Sequence, residues 1–457
     1  FRVGGRLNGE SYTISGVTGS VWASQTLTEL EAMPNVRVMT RTTVYGAYDH
    51  GIFGALERVT DHLAKSEEKP RQILWRIYSR CSLLTAGAIE RPIAFSNNDR
   101  PGIMRAGAVR TYVNRYGVAP GNNVAVFTNN DDGWRTALDL KTNGVNVCAL
   151  IDVRDQVKPI DIKDTEIITG AHIINTFGRK AIKAITLQNG RKISTDCLAV
   201  SGGWNPTLHL TCHQRGRPKW NEDILAFVPG SALPQGMYVT GAANGTFSLS
   251  SILKSAVETT SKALQNIGLS VKLGDLPTAE DEAQSGTAFW HVRENRKRAW
   301  VDLQNDVTVK DIKLSYQEGF RSVEHLKRYS TLGMATDQGK TSNIAGLAIL
   351  AECSGKTIPE TGTTIFRPPY TPIPIGALAG RARGKDFRPY RHTPSHKWAQ
   401  ENGATFVEAG TWLRAQWFAR EGEKRWRESV DREVEMTRSS VGVCDVTSLG
   451  KIDIQGR

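Results

Sequence analysis

Reactive side chains in this 457-residue chain concentrate in EHLKRYSTLGMATDQGKTSN, residues 324–343. Gly333 and Gly339 free the backbone to turn, so that consecutive N–H groups there could face an anion. Beside Gln338 and Gly339, Lys340 adds a point charge and Thr341 a hydroxyl, which is the chemistry a phosphate needs. The other open reading is a solvated loop that caps a helix. EHLKRY predicts that helix, with Glu324 and Lys327 on one face. Asp152 is a second candidate: it ends a predicted strand where an acid accepts from ribose hydroxyls. His209 and His213 have the i, i+4 spacing of a metal pair, but with Pro206 nearby and no H-E-x-x-H the structural reading is preferred.

The elements that must position these residues come from several domains. At 39% hydrophobic and 23% charged, the chain has material for more than one core. No apolar run approaches the ~20 residues of a membrane helix, so no membrane is expected. Phe1-Arg2-Val3 shows neither Met nor a signal peptide, and CDVTSLGKIDIQGR stops in strand-like sequence, so a fragment lacking both termini is expected. The net charge of +12 is spread along the chain, which argues against nucleic acid and for a solvated basic surface or anionic cofactors. Cys81, Cys148, Cys197, Cys212, Cys353 and Cys444 lack C-x-x-C spacing and read as free thiols in a reducing cytosol, giving a cytoplasmic protein.

In chain order, residues 21–51 predict an amphipathic helix, a strand through Val36 and Val38, and a second strand or turn over 42–46. ILWRIYSRCSLL predicts a strand pair, followed by Thr85-Ala86-Gly87-Ala88. NVAVFTNNDDGWRTALDLKTNGVNVCALIDVR reads as a βαβ unit with its first strand over 124–127 and its helix over 135–141. Only Gly133 survives of G-x-G-x-x-G, with Thr128 and Asn130 in the other glycine places. Asp131-Asp132 would repel a pyrophosphate, so a structural unit is favoured over a nucleotide site. MYVTGAANGTF predicts a strand and glycine turn containing Thr240, Gly241 and Gly245, with a turn holding no ligand as the alternative.

Several of these stretches resemble known families. Gly4-Gly5, the T-A-G-A turn and the Thr240-Gly241 turn are similar to those of glutathione-reductase-type flavoproteins. Ala242 stands where FAD-binding relatives carry the ribitol-binding aspartate, which implies NAD rather than FAD. Residues 301–307 with 333–342 resemble the small helical [2Fe–2S] domain of bacterioferritin-associated ferredoxin and of some amine and opine dehydrogenases. Asp302, Gln304, Asp337 and Ser342 stand where its four cysteines would, so no cluster is expected. RHTPSHKWAQENGATFVEAGTWLRAQWF resembles the opening of the folate-binding aminomethyltransferase fold, with Arg414-Ala415 replacing the usual Arg-Pro, and SSVGVCDVTSLGKIDIQGR resembles its next strand pair.

The order of these parts resembles the alpha subunits of heterotetrameric sarcosine oxidase. The implied fold class is α/β. A two-dinucleotide-binding-domain (glutathione-reductase-like) fold precedes a small helical cluster-less [2Fe–2S]-type domain and the start of an aminomethyltransferase (folate-binding) α+β domain. The expected divisions are a first dinucleotide-binding domain over 1–110 and 196–275, a degenerate βαβ domain over 111–195 and a linker over 276–299. The helical domain then covers 300–375 and the truncated folate-binding domain 376–457. The resemblance implies oxidative demethylation of sarcosine with hydrogen peroxide formed, the one-carbon unit passing to tetrahydrofolate or leaving as formaldehyde. It also implies NAD in alpha beside Gly4, Gly5, Thr240, Gly241 and Gly245, and FAD in the partner subunit. FMN is expected at the alpha/beta interface with its phosphate on Gln338, Gly339, Lys340 and Thr341. Tetrahydrofolate is expected at the C-terminal domain, beta, gamma and delta subunits as partners, and no catalytic residue within this chain. An opine or amine dehydrogenase subunit, or a non-catalytic NAD-binding scaffold, is the alternative.

Overall fold

The computed structural model describes residues 2–64, 68–157, 160–271, 274–282, 284–294, 297–380, 382 and 384–456. Phe1, Ala283, Asn295, Arg296, Arg381, Arg383 and Arg457, on which parts of the terminus, linker and C-terminal readings fall, lie outside them. Contacts divide the chain into two units, Phe1–Ile373 and Pro374–Arg457.

The first unit opens with helix α1 (Gly19–Glu31) and an antiparallel meander of β1 (Thr42–Tyr48), β2 (Ile52–Arg58) and β3 (Gln72–Tyr78). Val36 and Val38 form no strand, a correction: the ladder begins only at Thr42, where a partner strand exists. Strand β4 (Ser82–Leu84) follows, then β5 (Ala88–Glu90). The expected pairing of β3 with β4 does not occur, because β3 takes β2 as its neighbour. Instead β4 lies parallel to the strand Met237–Val239.

The βαβ unit forms as expected. Strands β6 (Ile103–Arg105), β7 (Val124–Thr128), β8 (Val147–Asp152), β9 (Glu166–Ile168) and, later, the strand Cys197–Ser201 make one parallel sheet. Its spatial order is β9-β8-β7, then Cys197–Ser201, then β6. Sequences VAVFT and CLAVS are buried at every position because both faces are covered, as near-continuous apolar runs in parallel sheets require. Helices α2 (Ala106–Tyr116) and α3 (Asp131–Thr142) cover one face through Val109, Val113, Trp134 and Leu140. An antiparallel meander over Ile173–Phe177, Ala184–Leu187 and Lys192–Ser194 covers the other through Ile173, Ile185 and Leu187. Helix α3 starts at Asp131 rather than at residue 135, because the Asn130 side chain accepts from the Asp132 N–H and two acids favour the positive end of the helix dipole.

Two domain boundaries are corrected by this pairing. Residues 103–105 and 197–201 belong to the five-stranded sheet, so the second body runs from about 103 to 201 and the return to the first comes later. That return is made by Trp204–Pro206, antiparallel to β5, and by Met237–Val239, parallel to β4. The stretch 276–299 is likewise no free linker. Thr287 donates to the Asn129 carbonyl, Ala94 to that of Trp290 and Val292 to that of Ala94, and Trp290, His291 and Val292 are buried.

Residues 300–373 add a hairpin of Trp300–Asp302 with Val307–Thr308, the helices α4 (Val309–Gln317), α5 (Val323–Ser330) and α6 (Asn343–Ser354), and a short helix Ile358–Thr361. A capping box of Thr308 and Asp311 starts α4. The first nine residues of α6 are all buried, which its run NIAGLAILA allows. In the second unit, Ala404–Ala409 pairs antiparallel with Trp412–Phe418, flanked by helices His396–Glu401 and Trp426–Ser439. The strand pair expected over 440–456 does not form: Val441, Val443, Ile452 and Ile454 are largely exposed and have neither ladder nor apolar face to bury against.

One buried ionic cluster ties the N-terminal residues to the second body. Arg110 on α2, 1% exposed, donates to Glu10 at 2.9 Å, Asp132 at 3.0 Å and Asp139 at 2.8 Å. Arg6 also pairs with Glu10 and, at 2.6 Å, with Asp132. Burial alone would raise the Asp132 carboxyl, but Arg6 and Arg110 outweigh it and bring it to about 2. Glu90, buried beside Asp132, is pushed up to about 7 by burial and then by that neighbour's charge, although its Oε2 accepts from the Gly107 N–H at 2.8 Å.

Arg110→Met would leave three carboxylates short of a counter-charge, and a loss of about 3–5 kcal/mol is expected in denaturant unfolding. For Glu90 the folded pKa is raised, so its contribution is complete below the ordinary carboxyl range and is lost as pH rises towards about 7. The stability of Glu90→Gln relative to the unaltered protein should therefore improve between about pH 5 and pH 7, measured by urea titration at each pH.

Candidate functional site

The loop between α5 and α6 owes its shape to Asn343. Gly333 and Gly339 hold φ of 65° and 71°, and a Cβ on them would lie 2.3 Å and 2.0 Å from the Asn343 Oδ1. The Asn343 amide donates to the Gln338 carbonyl at 3.0 Å and to Thr364 Oγ1 at 3.2 Å. These glycines therefore serve close packing. The expected row of free N–H groups is corrected too. The Gly339 N–H goes to Asp337 Oδ1 at 2.9 Å, that of Lys340 to the Asp337 carbonyl, and those of Ser342 and Asn343 to the Gly339 carbonyl. Gln338 is committed as well: its side chain donates to the Arg367 and Pro369 carbonyls and accepts from the Arg367 N–H. Thr341 is half-buried. Upstream, Glu324 pairs with Arg328 one turn on, at 3.3 Å, rather than with Lys327.

Lys340 is the loop's remaining cation. Its ammonium donates to the Tyr370 carbonyl at 3.0 Å and lies 4.1 Å from the centre of that ring, with burial lowering its pKa.

Of the four positions that resemble cluster ligands, Asp302 and Ser342 meet directly, with oxygen chemistry. Asp302, 2% exposed, accepts from the N–H groups of Gly333 at 2.8 Å and Gln304 at 3.0 Å and from the Ser342 hydroxyl at 3.3 Å. Gln304 reaches the Thr336 hydroxyl, and Asp337 holds Gly339. A carboxylate, an amide, a second carboxylate and a hydroxyl are not the thiolate set that an iron–sulfur cluster requires.

The βαβ loop is closed on itself. Thr128 Oγ1 accepts from the Asn130 N–H at 3.1 Å, and a Cβ on Gly133 would lie 2.3 Å from that of Thr128, so this glycine lets α3 sit against β7. Asp152, fully buried, accepts from the Trp134 indole at 2.7 Å and from Arg154 at 2.7 Å. Its oxygens are thereby committed to protein, in keeping with a structural unit.

A larger opening lies in the first body. A cavity of about 650 Å³ is lined by Thr43 and Val44 of β1, Leu84, the turn residues Thr85 and Ala86, and Met237. His209, in the short helix His209–Cys212, and Tyr370 also line it. The sequence pointed to Thr85–Ala88 but not to β1, whose part in the wall depends on how the meander folds over β4. Of the other expected positions, Gly4, Gly5, Thr240, Gly241 and Gly245 do not line it. Gly4 packs against Ala23 and Asn8, and Gly245 against Val228 and Ile224. His213 Nδ1 accepts from the Ala47 N–H at 3.2 Å, and burial brings its pKa to about 4. Among the described residues no group of three or more His, Cys, Asp or Glu could hold a metal ion, so the two histidines stand without a third ligand.

Residues 296–381 match the family described as the sarcosine oxidase A3 domain, and residues 395–457 that described as the GCVT N-terminal domain. The sarcosine oxidase subunit alpha of Rhizobium meliloti (strain 1021) is 44% identical over 99% of this chain and 46% of its own length. That of Corynebacterium sp. (strain P-1) is 37% identical over 97% of this chain and 48% of its own length. The chain thus spans about half the length of the curated relatives it matches. Among solved structures, L-proline dehydrogenase from P. horikoshii superposes with a TM-score of 0.63 at 19% identity, over 82% of this chain and 72% of that one. At that identity the likeness concerns the fold, a mixed α/β architecture. No helix among the described residues is long and apolar enough to cross a membrane.

Gly339→Ala tests the packing role of the loop glycines. The added methyl meets Asn343 and the left-handed backbone is strained, so a destabilisation of about 1–3 kcal/mol is expected in thermal or urea unfolding. Gly355→Ala, which has φ of 66° but open space around it, should cost less.

Proposed function

We propose, from the premise that this chain belongs to the sarcosine oxidase alpha-subunit family, that it contributes the nucleotide-binding body and the start of the folate domain of such an oxidase. The reaction is oxidative demethylation: sarcosine, oxygen and water give glycine, formaldehyde and hydrogen peroxide. With tetrahydrofolate present, the one-carbon unit leaves as methylenetetrahydrofolate. Beta, gamma and delta subunits complete the assembly, with FAD and FMN held by beta. The observation that carries this reading is 44% identity sustained over 99% of the chain, through the A3 and GCVT N-terminal segments in succession.

Within that assembly the chain's own part is to bind and orient. NAD is proposed beside Gly4-Gly5 and the Thr240–Gly245 turn, as the resemblance implies; the Thr240 N–H donates to the carbonyl of Leu84, a residue that lines the 650 Å³ cavity. FMN is the redox group that takes electrons from the amine oxidation towards oxygen. The Gln338 side chain and the Gly339 N–H are spent on protein contacts, so Lys340, by turning from the Tyr370 carbonyl, and the neighbouring Thr341 hydroxyl are proposed to meet the FMN phosphate.

Sarcosine-dependent oxygen uptake by the assembled complex, with peroxide and methylenetetrahydrofolate measured together, tests the activity. Turnover of another secondary amine in place of sarcosine would overturn it in favour of an amine dehydrogenase subunit, and no turnover at all would favour a scaffold. Lys340→Met is expected to reduce FMN retention by roughly tenfold, about 1.4 kcal/mol, read as flavin content after gel filtration. Unchanged flavin content would remove Lys340 from that role.

A further inference from the structure

Arg91 is the buried charge that the fold leaves without a counter-ion. It is 2% exposed, and no carboxylate among the described residues pairs with it. Its Nε donates to the Gly202 carbonyl at 2.7 Å, and its Nη1 to the Asn205 side chain at 2.8 Å and the Trp204 carbonyl at 3.3 Å. The guanidinium carbon lies 4.8 Å from the centre of the Trp290 ring. All of these partners are neutral, and burial lowers the Arg91 pKa to about 9 with no opposite charge to offset it. Buried charges are normally paired.

Nη2 is left over. It has no acceptor among the described residues, yet it is not sealed in protein as the two unpartnered His209 nitrogens are, so part of the small exposure of Arg91 lies there. The opening is a pocket of about 50 Å³ lined by Arg91, Asn129, Gly203, Trp204, Asp223 and Leu225, among others. A Cβ on Gly203, whose φ is 100°, would lie 2.5 Å from Nη2, so the missing side chain makes room for the guanidinium. Asn129 and Gly203 follow the carboxyl ends of two neighbouring parallel strands, β7 and Cys197–Ser201. Crevices at such ends are where open α/β sheets take ligands.

Three acids share the wall. Asp131 is taken by Arg154 at 2.7 Å and by the Ser285 N–H at 2.7 Å, and Asp132 by Arg6 and Arg110. Asp223 is exposed and has no ion pair among the described residues. One unpaired guanidinium and one unpaired carboxylate on the same small pocket suit a ligand that carries both charges. A planar carboxylate matches the guanidinium edge, whereas a simple anion would meet the Asp223 charge with nothing to answer it. At ~10–15 Å³ for one water, the pocket has room for a few waters or one small molecule.

We propose that this pocket binds a small α-amino acid, with its carboxylate on Arg91 and its ammonium on Asp223. The site is separate from the positions proposed for NAD and FMN and does not depend on them.

The test is titration of the assembled complex with glycine, the smallest α-amino acid, and with acetate, which has the carboxylate alone. Binding is followed by saturation-transfer NMR, with thermal melting as a check on folding. In Arg91→Met both ligands should bind at least tenfold more weakly. In Asp223→Asn glycine should weaken roughly threefold or more, and acetate should not. Glycine held elsewhere in the complex keeps its affinity in both variants and is subtracted as the part that Arg91→Met leaves. Glycine binding that is wholly unchanged in Arg91→Met overturns the proposal. So does acetate that binds as tightly as glycine with Asp223→Asn without effect, which leaves an adventitious small-anion site only. Should Arg91→Met not fold, Asp223→Asn is compared with Asp223→Lys. Glycine affinity falling in that order supports the assignment, and affinity equal to that of the unaltered protein in both overturns it.

Discussion

The guanidinium of Arg110 is the constraint on which the first unit depends. It sits on α2 inside the structure and meets carboxylates from three places: Glu10 near the N-terminus, and Asp132 and Asp139 about two turns apart on α3. Removing this many charges from water is costly, and the cost is offset only because each carboxylate also has further donors. Arg6 reaches Glu10 and Asp132, the Trp204 indole donates to Asp132, and Asn114 and Ser11 donate to Asp139. Geometry this specific fixes how α2 and α3 lie on the parallel sheet and where residues 5–14 cross them. It also accounts for Glu90, whose carboxyl is pushed up to about 7 first by burial and then by Asp132.

A second polar centre organises the helical segment in the same manner. Asp302 collects N–H and O–H donors from Gly333, Gln304, Asn305 and Ser342, so the loop that resembles a cluster binder closes over a carboxylate. Asn343 completes the arrangement from α6, and Gln338 anchors residues 367–369. This explains why glycines persist without thiolates: their missing side chains make room for Asn343. The anion hypothesis relied on those glycines for its motive, and it now stands on Lys340 and the Thr341 hydroxyl.

Phe366, His209 and Tyr370 form a contiguous cluster of tilted rings, with the Lys340 ammonium over the last of them. It joins the wall of the large cavity to the loop before α6, because Tyr370 both lines the cavity and accepts from Lys340. The Tyr370 N–H, given to the Tyr45 carbonyl at 2.6 Å, and the Asn205 amide, given to the Lys340 carbonyl, lock this region to the first body.

The βαβ unit was legible because its apolar runs have the length and continuity of strands covered on both faces, and α3 because Asn130, Asp131 and Asp132 cap it. The missing cluster ligands were legible too, since thiolate chemistry resides in residue type. The resemblance to sarcosine oxidase alpha subunits followed from the order of parts, which needs no coordinates. Tertiary structure decided what local pattern leaves open: that 197–201 joins the second sheet, that 285–292 is packed rather than a linker, and that Val36 and Val38 find no partner. It also decided that the N–H groups of the Lys340 loop turn inward, that β1 helps to wall a cavity, and that both nitrogens of His209 are left over. The physical reason is the same in each case: strand pairing, hydrogen-bond satisfaction and cavity walls are properties of groups far apart in sequence, and only the folded chain brings them together.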